Sequence, residues 1–196
     1  MFRYLLPLTL LTACAGARST PAEEAPAAEQ APVEPAAEVT DPAEGTPSTV
    51  SPHSMWDGVV TSEGTASGRA LATDARVGLH EGYDRVVIEF DVGVPAHELS
   101  FVASVRQAGS GRPVDIPGEA IFLITLKNAS GFNLESGEAT VDRTVDVSAL
   151  TNIAHLQIVD DFEGQLRFGV GLKTRTDPTV DTLADPPRLV IDFPHP

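Results

Sequence analysis

One strand is written twice in this chain, and the repetition limits what the chain can fold into. Tyr83-Asp84-Arg85-Val86-Val87-Ile88-Glu89-Phe90 is echoed near the far end by Pro187-Arg188-Leu189-Val190-Ile191-Asp192-Phe193, each copy reading Arg, branched apolar, Val, Ile, acid, Phe. Side chains alternate across an extended strand, so Val86, Ile88 and Phe90 share one face and Arg85, Val87 and Glu89 the other. The second copy divides the same way, with Leu189, Ile191 and Phe193 inward and Arg188, Val190 and Asp192 outward. Two arrangements satisfy the echo. If the copies run antiparallel side by side, Arg85 lies opposite Asp192 and Glu89 opposite Arg188; otherwise the copies occupy different sheets as pseudo-symmetric equivalents. Ile88 and Ile191 are buried in both.

Short apolar alternations recur through the rest of the second half, at residues 74–80, 99–106, 121–127, 139–147, 153–160 and 165–173. Between them stand Gly, Pro, Asn and Asp, and no amphipathic stretch is long enough for a good helix; residues 148–152 suggest at most a helical turn. This pattern predicts an all-β fold, an antiparallel β-sandwich with an internal pseudo-repeat. Within the clearest alternation, Leu166, Phe168, Val170 and Leu172, the intervening Gly169 and Gly171 predict a close backbone approach or a bulge.

The first 56 residues read differently. Arg3 precedes an apolar run over residues 5–11, followed by Leu11-Thr12-Ala13-Cys14. That is the layout of an export signal, and the run is too short to span a bilayer as a mature helix. A Cys at this point resembles the bacterial lipobox, in which the thiol is lipidated and the chain is cut before it. Residues 1–13 are then the signal peptide and Cys14 the first mature, membrane-anchored residue. Cys14 is the only cysteine of the 196 residues, so no internal disulfide supports the fold. Residues 14–56 are rich in Ala, Pro and Glu, with seven acids against Arg18 alone. Such a stretch has little to bury, which predicts a disordered tether reaching on the order of 130 Å if fully extended as polyproline helix. The folded domain is expected over residues 57–196.

That domain holds 21 acids and 11 lysines and arginines, a net charge of −10, which argues against nucleic acid and against a grip on anionic lipid heads. Catalytic templates are absent: no His-Glu-x-x-His, no Gly-x-Ser-x-Gly, no phosphate loop and no cysteine pair for a metal. His80, His97 and His155 fall on separate segments. Asp160-Asp161-Phe162-Glu163 groups three carboxylates in a turn, a pattern that more often marks a solvated hairpin than a calcium site. The reading is therefore non-enzymatic, with no catalytic residues, metal or cofactor. Tyr83 and Phe132 are the aromatics that can stack on a sugar ring, Tyr83 standing at the head of the first copy. Arg85 and Arg188 either pair with acids on neighbouring strands or present their planar forks to a ligand carboxylate.

The two repeated strands, with Gly78-Leu79-His80-Glu81-Gly82 before the first and Asp185-Pro186 before the second, resemble the AMIN-like domain of stand-alone lipoproteins. That domain is related to the AMIN module of N-acetylmuramoyl-L-alanine amidases and type IV pilus secretins. The resemblance spans residues 74–193 and is specific at the two ends. It implies a non-catalytic cell-envelope module binding peptidoglycan or a wall-associated protein, and it favours placing the two copies in separate sheets. With Cys14 it implies lipid anchoring on the periplasmic side of the outer membrane in a two-membrane bacterium, or on the outer face of the cytoplasmic membrane otherwise. The alternatives are a protein-interaction module that localises or regulates an envelope enzyme or machine, and an enzyme whose site is assembled from scattered residues.

Overall fold

The computed structural model describes residues 54–196; the expected signal peptide, the expected lipidation at Cys14 and the expected tether, up to residue 53, lie outside the described residues. The described chain is built of strands β1 (Val60–Ser62), β2 (Ala70–His80), β3 (Tyr83–Phe90), β4 (His97–Val102), β5 (Val105–Arg106), β6 (Pro113–Val114), β7 (Ala120–Lys127), β8 (Ala129–Ser130), β9 (Ile153–Phe162), β10 (Gln165–Leu172), β11 (Thr179–Ala184) and β12 (Pro187–Pro194). One five-stranded sheet runs β1-β4-β7-β10-β9, a second runs β11-β12-β3-β2-β8, and β5 pairs with β6 as a separate hairpin. Every pairing is antiparallel except that of β2 with the short β8.

The repeated strands β3 and β12 are neighbours in one sheet, so the side-by-side arrangement holds and the separate-sheet arrangement favoured by the family resemblance does not. Arg85 lies opposite Asp192 and Glu89 opposite Arg188, with Ile88 across from Leu189 and Val86 from Ile191. The inward residues of both copies, Ile88 and Ile191 among them, are fully buried.

The two sheets meet through an aromatic cluster. Phe122 on β7 takes Trp56, Phe101 and Phe193 edge-on at ring-centroid distances of 5.3, 5.1 and 5.3 Å, and Phe193 belongs to the opposite sheet. Edge-to-face geometry places the positive ring edge on the negative face, a preference that adds to the area buried. Trp56 is packed in this core, within a single turn of 3-10 helix, Met55–Asp57, capped by the Ser54 hydroxyl. A fragment meant to fold must therefore keep Trp56.

Gly169 and Gly171 do what their spacing predicts, and in both ways. The pairing of β9 with β10 shifts register between Arg167 and Phe168 and between Gly171 and Leu172. A Cβ on Gly171 would lie 1.9 Å from the Pro117 carbonyl oxygen, and one on Gly169 would lie 2.6 Å from Ile116 Cδ1. The bare strand lets the segment after β6 cross the outer face of the sheet, where Ile116, Val105 and Val159 form a small second core.

Three expectations change. Residues 139–147 are no strand: they make two isolated bridges, Phe132 with Ala139 and Thr144 with Gln157, while Val141, Val145 and Val147 pack on the core as an irregular strap. Residues 99–106 break after Val102, because the chain leaves the sheet to form the β5–β6 hairpin. Residues 148–152 hold a hydrogen-bonded turn, Leu150 N–H to the Val147 carbonyl at 3.0 Å, and no helix. Strand β11 had no clear signal, since it is a largely exposed edge strand with little need for alternation.

Candidate functional site

The outward face of the second sheet follows from register alone. Tyr83 lies between His80 on β2 and Pro194 on β12; Arg85 lies between Gly78 and Asp192; Val87 between Arg76 and Val190; Glu89 between Asp74 and Arg188. The structure thus brings Tyr83 and Arg85 together and leaves Arg188 four residues from Asp192, about 13 Å along the strand.

The half-buried Tyr83 ring is braced from within its own face. His80 stacks on it at 4.8 Å with planes 10° apart, and the Arg85 guanidinium stands 5.3 Å from its centroid. Arg85 is held in turn by a fork to Asp192, Nε to Oδ1 at 2.6 Å and Nη2 to Oδ2 at 2.7 Å. That pairing raises the Arg85 pKa further above its usual value. It leaves Nη1 as the nitrogen not used by the fork. Arg188 lies opposite Glu89, yet its guanidinium turns to the Pro186 and Asp185 carbonyls, at 3.2 and 3.4 Å. Glu89 instead takes Arg76 at 3.4 Å, and Arg76 also binds Asp74.

Behind this face lies a charge that the alternation hides. Asp84 has the inward parity of Val86 and is completely buried. Its Oδ2 accepts the N–H groups of Asn152 at 2.6 Å and Ile153 at 2.9 Å; its Oδ1 accepts Thr151 N–H at 3.1 Å and meets His195 Nε2 at 3.0 Å. Burial pushes this carboxyl up, but the hydrogen bonds from Ile153, His195, Asn152 and Thr151 outweigh it and hold the pKa below the ordinary carboxylate value. Asn152, buried beside it, donates to Thr176 Oγ1 and the Pro194 carbonyl and accepts Thr174 N–H, each at 3.0 Å. The first repeated strand, the loop before β9 and the tail are thereby tied at one point.

The histidines do not gather. His80 is on Tyr83, His97 is buried with Nδ1 2.9 Å from the Pro95 carbonyl, His155 lies opposite Gly171, and His195 is on Asp84. The Asp160–Glu163 carboxylates are likewise not massed for an ion. Asp160 is forked by Arg167, with Nε at 2.8 Å, and takes Ala108 N–H at 2.6 Å, while Asp161 accepts the Ser130 hydroxyl at 2.9 Å and Gly131 N–H at 2.7 Å. Burial pushes the Asp160 carboxyl up, and the Arg167 and Ala108 bonds bring it below the usual range. Among the described residues no group of three His, Cys, Asp or Glu side chains is placed to hold a metal ion.

Phe132, the second aromatic expected to be able to stack on a sugar ring, is exposed. It separates two clefts, one lined also by Phe162 and Arg143 and the other by Arg69 and Leu134. No helix among the described residues is long and apolar enough to cross a membrane.

No curated protein and no solved structure matches the chain. The AMIN-like domain family model matches residues 70–195, from the first residue of β2 through His195. That span takes in both copies of the repeated strand, the Asp84–His195 contact that closes them and the Tyr83 face they build, and the chain belongs to the AMIN-like domain family.

Proposed function

We propose that this protein is a non-enzymatic, membrane-tethered module of the bacterial cell envelope that binds peptidoglycan. The observation that carries the reading is the Tyr83 face. A half-buried aromatic ring braced by His80 and Arg85 at the head of the central strand β3 is a preorganised contact for the apolar side of a sugar, and it needs little ordering on binding. Arg85 Nη1 is the donor beside it for a stem-peptide carboxylate, and Arg188, six residues or about 20 Å further along the sheet, is a more distant donor once released from its carbonyls. Membership of the AMIN-like family supports an envelope interaction module. Lipidation at Cys14 and the acidic tether would hold the domain off the membrane, on the periplasmic side of the outer membrane or on the outer face of a single membrane. Cys14→Ala should then yield a soluble or unprocessed chain, and intact-mass analysis of the wild type should show acyl chains on Cys14; a mature chain starting elsewhere without acylation contradicts the anchor.

One observation favours a protein partner instead. β11 is an exposed edge strand of the sheet that bears Tyr83, and an open strand edge can accept a strand from another chain. Co-sedimentation of the full chain with purified cell-wall sacculi separates the two. The proposed function predicts enrichment in the pellet; a chain that stays in the supernatant refutes wall binding and leaves the protein-interaction reading.

A further inference from the structure

Of the eleven lysines and arginines among the described residues, nine are tied to a carboxylate, a hydroxyl or a backbone carbonyl. The two with no such partner among the described residues, Arg69 and Arg143, line the two clefts on either side of Phe132. In a domain of net charge −10 an unpaired guanidinium is not for want of acids nearby in the sequence. Both free cations flank the same exposed ring.

The first cleft encloses about 460 Å³ and is walled by Phe132, Val141, Ile158 and Phe162, with Arg143 at its side. That size suits a small ligand rather than a protein surface. Phe132 and Phe162 both line it and are each 43% exposed. Its two acids are already engaged: Asp160 by Arg167, Asp161 by the Ser130 hydroxyl and the Gly131 N–H. The second cleft, about 310 Å³, holds Arg69 and Leu134 and has Glu135 as its acid. The ridge itself is fixed. Phe132 N–H bonds to Ser130 Oγ at 3.1 Å, Thr140 N–H to the Gly131 carbonyl at 2.8 Å, and Asn133 N–H to the Glu138 carbonyl at 2.9 Å.

We infer that the Phe132 ridge is a second binding site, for a saccharide carrying carboxylates, with the sugar ring on Phe132 and Phe162 and the acid groups on Arg143 and Arg69. The guanidinium fork matches a carboxylate, and the aromatic face matches the C–H face of a pyranose. A continuous polyanion is disfavoured by the charge of the domain, whereas discrete carboxylates on a neutral sugar are not. The site rests on the wall-binding reading and adds to the Tyr83 face a contact that a single soluble wall fragment can fill.

The test is calorimetric titration of the full chain, kept soluble by Cys14→Ser, with the disaccharide-peptide released from sacculi by muramidase. Phe132→Ala and Arg143→Ala should each weaken binding about tenfold and Arg69→Ala less, with unchanged melting temperatures; these losses reflect a removed stacking face and a removed charge-assisted bond. Glu135→Gln should tighten binding. Lys127→Ala, which removes equal charge from a site paired with Glu98, should leave it unchanged. Equal loss in Lys127→Ala, or wild-type affinity in Phe132→Ala and Arg143→Ala, overturns the site. Wild-type chain that sediments with sacculi but ignores the soluble fragment overturns the site alone, and failure of both assays overturns the wall-binding reading as well.

Discussion

Asp84→Asn is the substitution whose consequence can be worked most fully from the structure. Four donors converge on two carboxylate oxygens, at 2.6 to 3.1 Å, and the group is fully buried. An Asn side chain of the same shape offers one oxygen. If it faces Asn152 and Ile153, the amide nitrogen confronts Thr151 N–H; if it faces Thr151 and His195, two backbone N–H groups lose their acceptor. An unsatisfied buried donor costs about 1–3 kcal/mol, and the surviving bonds fall to about half their charge-assisted strength. The sum is a loss of about 3–5 kcal/mol, severe against a typical stability of about 5–15 kcal/mol but compatible with a folded variant. With a urea slope of about 1.5–2 kcal/mol/M, the midpoint at pH 7 should fall by about 2 M with the slope unchanged. The acid limb carries the sign. The folded pKa of Asp84 lies below its unfolded value of 3.8, so its contribution is complete above that value and is lost as pH falls through the folded pKa. The gap between wild type and Asp84→Asn should therefore be widest above about pH 5 and narrow in stronger acid. A midpoint within about 0.3 M of wild type at pH 7, or a gap that persists unchanged in acid, refutes the reasoning.

Gly171→Ala should destabilise by about 2–4 kcal/mol in thermal melts, because its Cβ meets the Pro117 carbonyl, whereas Gly68→Ala, which faces open space, should stay within about 0.5 kcal/mol. A double-mutant cycle on Arg85 and Asp192 should give a coupling of about 1–2 kcal/mol, since the pair is forked and partly buried; zero coupling would mean that the two copies are held by backbone and core alone.

Much of this architecture was legible because the strand repeat carries its own register. Once Arg85 is set opposite Asp192, Arg188 must fall opposite Glu89, and the inward residues of both copies follow. What the register could not tell was where each guanidinium turns. Arg188 is opposite an acid but bonds to carbonyls of the turn before it, a local geometry that residue types do not encode. Asp84 was concealed by its own charge. A carboxylate at a strand head reads as outward, and only the folded chain brings the three N–H groups of Thr151, Asn152 and Ile153 to an inward position; the signal present was its parity with Val86. Residues 139–147 misled in the opposite sense, because Val141, Val145 and Val147 supply strand-like apolar residues to a segment that serves as a strap. Gly169 and Gly171 announced a close approach without naming Ile116 and Pro117 as what approaches. Phe132 was visible as an aromatic, but the free state of Arg69 and Arg143 depends on what every other cation is bonded to, which is a property of the fold.

The most direct measurement of the central claim is the fraction of full chain that sediments with purified sacculi as salt is raised from about 20 to about 150 mM, where the Debye length shortens from roughly 20 to 8 Å. A domain of charge −10 and a carboxylate-rich wall repel each other at long range, while ring stacking on Tyr83 and close guanidinium–carboxylate bonds are screened far less. The account predicts that the bound fraction holds or rises across this range and falls in Tyr83→Ala and Arg85→Ala. Binding that collapses by physiological salt, or that is indifferent to both substitutions, contradicts it.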